Sequence, residues 1–289
     1  MTTAILRYAA FSSDPAGGNP AGVVLDATGL DAISMQRIAA DVDFAETAFV
    51  TGTRDDGARQ IRYFSPIAEV PFCGHATIAT AVAIAERGDA VRGDADGDAI
   101  VFATTVGDIR IEVERRAEGI AAAFTSVVPS VSDLPPAERD AILDLLSLTN
   151  ADLDAELPPR IADAGNPHPV IALTDRGAFD TFTFDAGRVR ALMNDRGWPA
   201  TITIVHRVAP DRLLARNLFP VGRITEDPAT GSAAAAVGAY LRAHGAVATP
   251  TRIEIEQGAH VGRPGLLTVD IPASGGIRVS GSAVEMPAS

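Results

Sequence analysis

Apolar positions along this chain change period repeatedly, and the changes outline its elements. Alternating or β-branched runs predict strands over 5–10, 47–51, 61–64, 99–105, 109–114 and 121–127. A loop over 15–20, holding Gly17 and Gly18, precedes an apolar run over 21–25. Helical spacing over 31–41 is carried by Ile33, Arg37 and Ile38, whereas 76–87 is apolar nearly all round and stops at Gly88, the pattern of a buried helix. Residues 89–98 form an acidic, glycine-punctuated turn. The second half repeats the recipe. A connecting helix over 135–148 leads to strands over 170–174, 181–184, 201–205 and 213–218, with a helix over 186–195. An alanine-rich helix over 233–244 ends at Gly245, and strands over 253–257, 266–271 and 276–280 close the chain. Many strands around one apolar helix per half predict an α+β fold of two similar domains, each a curled, mostly antiparallel sheet wrapped around its helix. The pattern breaks at 127–133, so the expected domains are 1–128 and 134–275, with the strand near 276–289 able to return to the first.

The two alanine-rich helices follow the same eight-residue phrase. Glu69-Val70-Pro71-Phe72-Cys73-Gly74-His75-Ala76 and Glu226-Asp227-Pro228-Ala229-Thr230-Gly231-Ser232-Ala233 align without a gap, 157 positions apart. Each is preceded by an arginine and an aromatic-proline step, Arg62 with Phe64-Ser65-Pro66 and Arg216 with Phe219-Pro220. Such spacing points to a duplicated domain. A proline-to-glycine turn that opens a helix leaves backbone N–H groups at the positive end of the helix dipole, a favourable place for an anion. Glycine at 74 and 231 lets a ligand come close to the backbone. Two such turns facing each other would hold a small carboxylate from both sides, with His75, Asp227 and Ser232 beside it.

Composition removes other chemistries. All 24 basic side chains are arginine, so no lysine Schiff base and no P-loop lysine is available. A formal net charge of −13 argues against nucleic acid or an anionic membrane surface as partner. One cysteine, Cys73, allows no intrachain disulfide and fits a reducing, cytoplasmic setting. The N-terminus lacks a signal-peptide pattern, and no apolar run approaches the roughly 20 residues of a membrane helix. H-x-H, H-E-x-x-H, G-x-G-x-x-G and G-x-S-x-G patterns are missing, which speaks against a protein-built metal site, a dinucleotide site and a nucleophile elbow.

Glu46 sits between Phe44 and Phe49 at the entrance to a strand. In an apolar cleft its pKa would rise toward neutrality, which suits a general acid/base; on an open loop it would be a solvated carboxylate. Cys73 is either a thiolate helped by its helix N-terminus or a buried inert side chain. A two-thiol racemase needs a second cysteine on the opposite turn, where this chain has Thr230.

These stretches, together with Gly18-Asn19-Pro20, Phe44–Phe49 and Gln257-Gly258 before Gly262-Arg263-Pro264, resemble the phenazine-biosynthesis (PhzF-like) isomerase family of the diaminopimelate-epimerase-like fold. The resemblance runs from 18 to 264 and is loose over about 130–200. It implies a cofactor-free, typically homodimeric isomerase in which a glutamate, here Glu46, moves a proton between two carbons of a small carboxylate substrate. It also implies substrate contacts at His75, Asp227 and Ser232, backbone donors at Gly74 and Gly231, and a further contact at Asn19. The alternatives left open are a racemase pairing Cys73 with a non-thiol base, and a carboxylate-binding protein without turnover.

Overall fold

The structure, a computed structural model, describes residues 3–88, 92–94, 97–117, 119–222 and 224–287. The chain divides into two compact units, 1–125 with 280–289, and 126–279.

The first unit contains β1 (Leu6–Ala10), β2 (Asn19–Val24), α1 (Ala32–Val42), β3 (Glu46–Thr53), β4 (Arg59–Phe64), β5 (Glu69–Val70), α2 (Gly74–Glu86), β6 (Arg92–Asp94), β7 (Gly97–Thr104), β8 (Gly107–Arg116) and β9 (Gly119–Thr125). Strand pairing runs β1, β2, β3, β4, β7, β8, β9 and then the C-terminal strand Arg278–Glu285, which pairs back onto β1. The ring therefore closes, and closure removes exposed strand edges. Pairing is antiparallel in the hairpins and parallel at β2–β3 and β4–β7, where the chain crosses over through α1 and α2.

Helix α2 fills the middle of this ring. Its residues from His75 to Ala85 are all buried. A helix enclosed on every side must be apolar on every side, and alanine lets the strands approach its backbone. That need explains the sequence Ala-Thr-Ile-Ala-Thr-Ala-Val-Ala-Ile-Ala from Ala76 to Ala85. Thr77 and Thr80 are tolerated because their hydroxyls donate to the carbonyls of Cys73 and Ala76, one turn back. Outside the ring α1 covers a second layer in which Met35 and Ala39 meet Val24, Phe49 and Phe64.

The second unit contains β10 (Ser130–Asp133), α3 (Pro136–Leu145), β11 (Arg160–Asp163), β12 (Pro167–Leu173), α4 (Arg176–Thr181), α5 (Ala186–Arg196), β13 (Ile202–Ala209), β14 (Arg212–Leu218), β15 (Glu226–Asp227), α6 (Gly231–Ala243), β16 (Thr251–Gln257) and β17 (Gly265–Ile271); β18 is the Arg278–Glu285 strand above. Its strands pair in the order β10, β11, β12, β13, β14, β16, β17, parallel at β12–β13 and β14–β16 and antiparallel elsewhere. The parallel steps fall where they do in the first unit, and α6 is buried as α2 is. Helices α3, α4 and α5 cover the outer face through Ile142, Phe179 and Met193, with Trp198 just past the end of α5.

Four local expectations need correction. Residues 181–184 are not a strand: Asp175 caps α4 by accepting from Ala178 N, and Phe179 and Phe182 bury on one face at helical spacing. The stretch expected as a linker holds β10, hydrogen-bonded to β11. In the acidic turn expected over 89–98, residues 92–94 and 97–98 are in strands that pair with each other, while 89–91 and 95–96 lie outside the described residues. Both motif helices also begin earlier than periodicity suggests, at Gly74 and Gly231 themselves. Among the described residues no helix is long and apolar enough to cross a membrane.

Candidate functional site

In the first unit, register places Glu46 at the start of β3, directly opposite Ala21 of β2. Asn19 begins β2, immediately after Gly18, whose φ of +56° and contact with Ala10 O (2.2 Å from where a Cβ would sit) demand glycine. Cys73 is the N-cap of α2 and His75 lies in its first turn. The four side chains meet. Cys73 Sγ lies 3.4 Å from Glu46 Oε2 and 3.4 Å from His75 Nδ1. His75 Nε2 faces Glu46 Oε2 at 3.4 Å, and Asn19 Nδ2 contacts His75 Nδ1 at 3.2 Å. His75 is buried and Glu46 nearly so, with 16% of its side chain exposed. Burial pushes the His75 pKa down to about 4, so the ring beside Glu46 is neutral near pH 7. The donor atoms of Glu46, Cys73 and His75 all lie within 4.8 Å of one another, a carboxylate–thiol–imidazole set that could coordinate a metal ion. The sequence patterns gave no hint of that set.

In the second unit the equivalent turn is held by a polar network. Thr230, the N-cap of α6, donates through Oγ1 to Asp227 Oδ2 at 2.7 Å. Gln257, at the end of β16, donates to Asp227 O (2.6 Å) and Thr230 Oγ1 (2.9 Å) and accepts from Thr230 N (3.2 Å). Gly258, at φ +88°, keeps this strand end close: a Cβ there would lie 2.3 Å from Arg263 O and 2.4 Å from Pro228 O. Ser232, in the first turn of α6, lies 3.2 Å from Nε2 of the buried His168. Neither Cys73 nor Thr230 caps its own helix through its side chain.

The opening glutamate of each motif is a structural anchor. Glu69 and Glu226 take bonds from Arg62 and Arg216 on the strand alongside. The second pair is buried, and Arg216 also donates to the Phe179 and Phe182 carbonyls and stacks on the Phe182 ring at 3.6 Å.

The structure thus gathers Asn19, Glu46 and His75 with Cys73 in one unit, and Asp227, Gly231 and Ser232 in the other. Sequence reasoning did not single out His168 or Thr201, nor the bridging role of Gln257. A signal for His168 was present: Gly165-Asn166-Pro167 repeats Gly18-Asn19-Pro20 just before it.

Comparison with known proteins adds to this geometry. Residues 8–288 match the family described as "Phenazine biosynthesis-like protein". The chain is 32% identical over 295 residues to an uncharacterized isomerase of Escherichia coli O157:H7, covering 98% of this chain and 96% of the relative. It is 33% identical over 260 residues to trans-2,3-dihydro-3-hydroxyanthranilate isomerase of Pseudomonas chlororaphis, covering 89% and 86%. The crystal structure of a PhzF-family phenazine biosynthesis protein of Bacillus anthracis superposes with a TM-score of 0.85 at 26% identity, covering 98% of this chain and 96% of that one.

Proposed function

The chain belongs to the phenazine biosynthesis-like protein family and is an isomerase, and we propose that it shifts a proton within a small carboxylate substrate with Glu46 as the acid/base. The observation that carries this reading is the setting of Glu46: a largely buried carboxylate beside a neutral histidine and a helix N-terminus. The Glu46 carboxylate takes a proton from one substrate carbon, and the electron pair left behind spreads into the conjugated system. The resulting carboxylic acid, which exchanges with solvent in competition with delivery, returns a proton to a second carbon. Atoms and charge balance with no co-reactant, so the step requires no cofactor.

In this reading the first-turn N–H groups at Gly74 and at Gly231 are each a carboxylate-binding position at the start of its own helix. A Cβ on Gly74 would meet only ring atoms of Phe124 and Phe72 at 3.8–4.0 Å, so the surrounding protein does not require glycine there. Close approach of a ligand supplies a reason for it. Asn19, His75, Asp227 and Ser232 complete the substrate contacts, and a homodimer and a cytoplasmic location follow the family expectation.

Purified protein treated with a chelator is offered trans-2,3-dihydro-3-hydroxyanthranilate. Turnover is expected, with Asp227→Asn and Ser232→Ala raising KM. Failure of the wild type to convert or bind any of a panel of cyclic carboxylates would remove the substrate class. A two-thiol racemase is disfavoured because Thr230 occupies the turn that matches Cys73 and donates its hydroxyl hydrogen bond to Asp227.

A further inference from the structure

We infer that His168 is a positioning residue that fixes Ser232 as a hydrogen-bond acceptor, so that Ser232 meets a donor group of the substrate, an amine or a hydroxyl, and not its carboxylate. The argument rests on which atoms can donate. His168 lies at the start of β12 and is completely buried. Its Nδ1 lies 3.2 Å from the main-chain carbonyl of Thr201 and 2.9 Å from Thr201 Oγ1. A carbonyl oxygen can only accept, so Nδ1 carries the ring proton. The hydroxyl is compatible with this: with the Asn217 amide in this orientation Thr201 Oγ1 donates to Asn217 Oδ1 at 2.7 Å and keeps a lone pair for Nδ1–H. The ring is neutral near pH 7, because burial lowers its pKa to about 4. A neutral ring protonated at Nδ1 has a bare Nε2, so at 3.2 Å the Ser232 hydroxyl must donate to it.

Ser232 is half-buried in the first turn of α6, where the free side of its oxygen offers lone pairs only. A carboxylate placed against those lone pairs would be repelled; an N–H or O–H would be held. The substrate carboxylate is thereby left to the helix N–H groups. The chain from Asn217 through Thr201 to His168 reaches Ser232 without an exposed link, since Asn217, Thr201 and His168 are all at least 98% buried. The substrate part of this inference rests on the isomerase reading; the proton placement does not.

Two measurements test it. Long-range ¹H–¹⁵N NMR on the free protein is expected to show His168 protonated at Nδ1 and bare at Nε2 near pH 7, with Ser232→Ala shifting the Nε2 signal. A ring protonated at Nε2 would overturn the inference while leaving the isomerase reading intact. The second is a double-mutant cycle with trans-2,3-dihydro-3-hydroxyanthranilate as probe. His168→Phe keeps ring volume but frees the Ser232 hydroxyl, and kcat/KM is expected to fall roughly tenfold, the scale of one hydrogen bond. In the Ser232→Ala background the same change should cost little. Independent, additive losses would show that His168 acts through packing alone and would overturn the assignment. If His168→Phe fails to fold, or the probe is not turned over, the NMR result alone decides it.

Discussion

At the scale of single residues, the two motifs show how one sequence pattern serves in two environments. Arg62–Glu69 and Arg216–Glu226 occupy matching positions, but side-chain exposure is 32% and 36% in the first pair and 7% and 9% in the second. Solvent and salt weaken the first, while the buried carboxylate of the second has no water to fall back on. Arg62→Met should therefore cost under about 1 kcal/mol of stability and Arg216→Met about 3–5 kcal/mol. Urea unfolding of both variants checks the contrast; equal losses would mean that burial does not separate them. Residue identities around the candidate site were partly legible in sequence. His75, Asp227 and Ser232 stood out because a repeat made their positions comparable. Glu46 stood out through its phenylalanine neighbours and the family resemblance. His168 did not: the Gly-Asn-Pro repeat just before it marks the position, but only the fold brings Ser232 beside the ring.

At the scale of elements, helices with their own punctuation were easy to place. Asp31 caps α1 by accepting from Ser34 N, and Gly197 closes α5 in the left-handed region. Residues 181–184 mislead because Thr181-Phe182-Thr183-Phe184 alternates like a strand, whereas the Asp175 cap and burial of Phe179 commit the segment to α4 and its exit. Short strands such as β5 and β15, two residues each, carry no periodicity at all and exist only through their partners β4 and β14. The loop after β16 shows how an element end supports the site. Gly258→Ala puts a Cβ into two carbonyl oxygens at a positive φ, which should cost about 3 kcal/mol or more. Because Gln257 bridges Asp227 and Thr230, the same variant should raise KM for the probe. Unchanged stability and KM would show that the loop relaxes without disturbing the turn.

At the scale of the whole molecule, duplication was the most legible feature, because each half repeats both the motif and the parallel strand steps around it. Closure of the first ring by Arg278–Glu285 was only half visible, since no local pattern names the partner of a returning strand. Two buried histidines, one per unit, make stability depend on pH. His75 and His168 have folded pKa values near 4 against an ordinary 6.5, so the unfolded chain binds their protons first as pH falls. Their contribution is complete above pH 6.5 and declines between 6.5 and 4, by about 1.4 kcal/mol per pH unit for each histidine. Carboxylates held low, such as Glu69 with its bond from Arg62, add their loss only below about pH 4. Unfolding free energies at pH 7, 6 and 5 should decline accordingly, and a flat profile would mean that these rings are charged or solvated.

The central claim is that Glu46 moves the proton, and the direct measurement compares Glu46→Gln with Cys73→Ser on trans-2,3-dihydro-3-hydroxyanthranilate in deuterated water. Glutamine keeps the shape and hydrogen bonding of Glu46 but cannot exchange a proton. Turnover and deuterium incorporation should fall by on the order of a hundredfold or more in Glu46→Gln, with KM largely kept, while Cys73→Ser stays close to wild type. If Cys73→Ser abolishes exchange and Glu46→Gln retains it, Glu46 is not the base and the proton travels through the thiol.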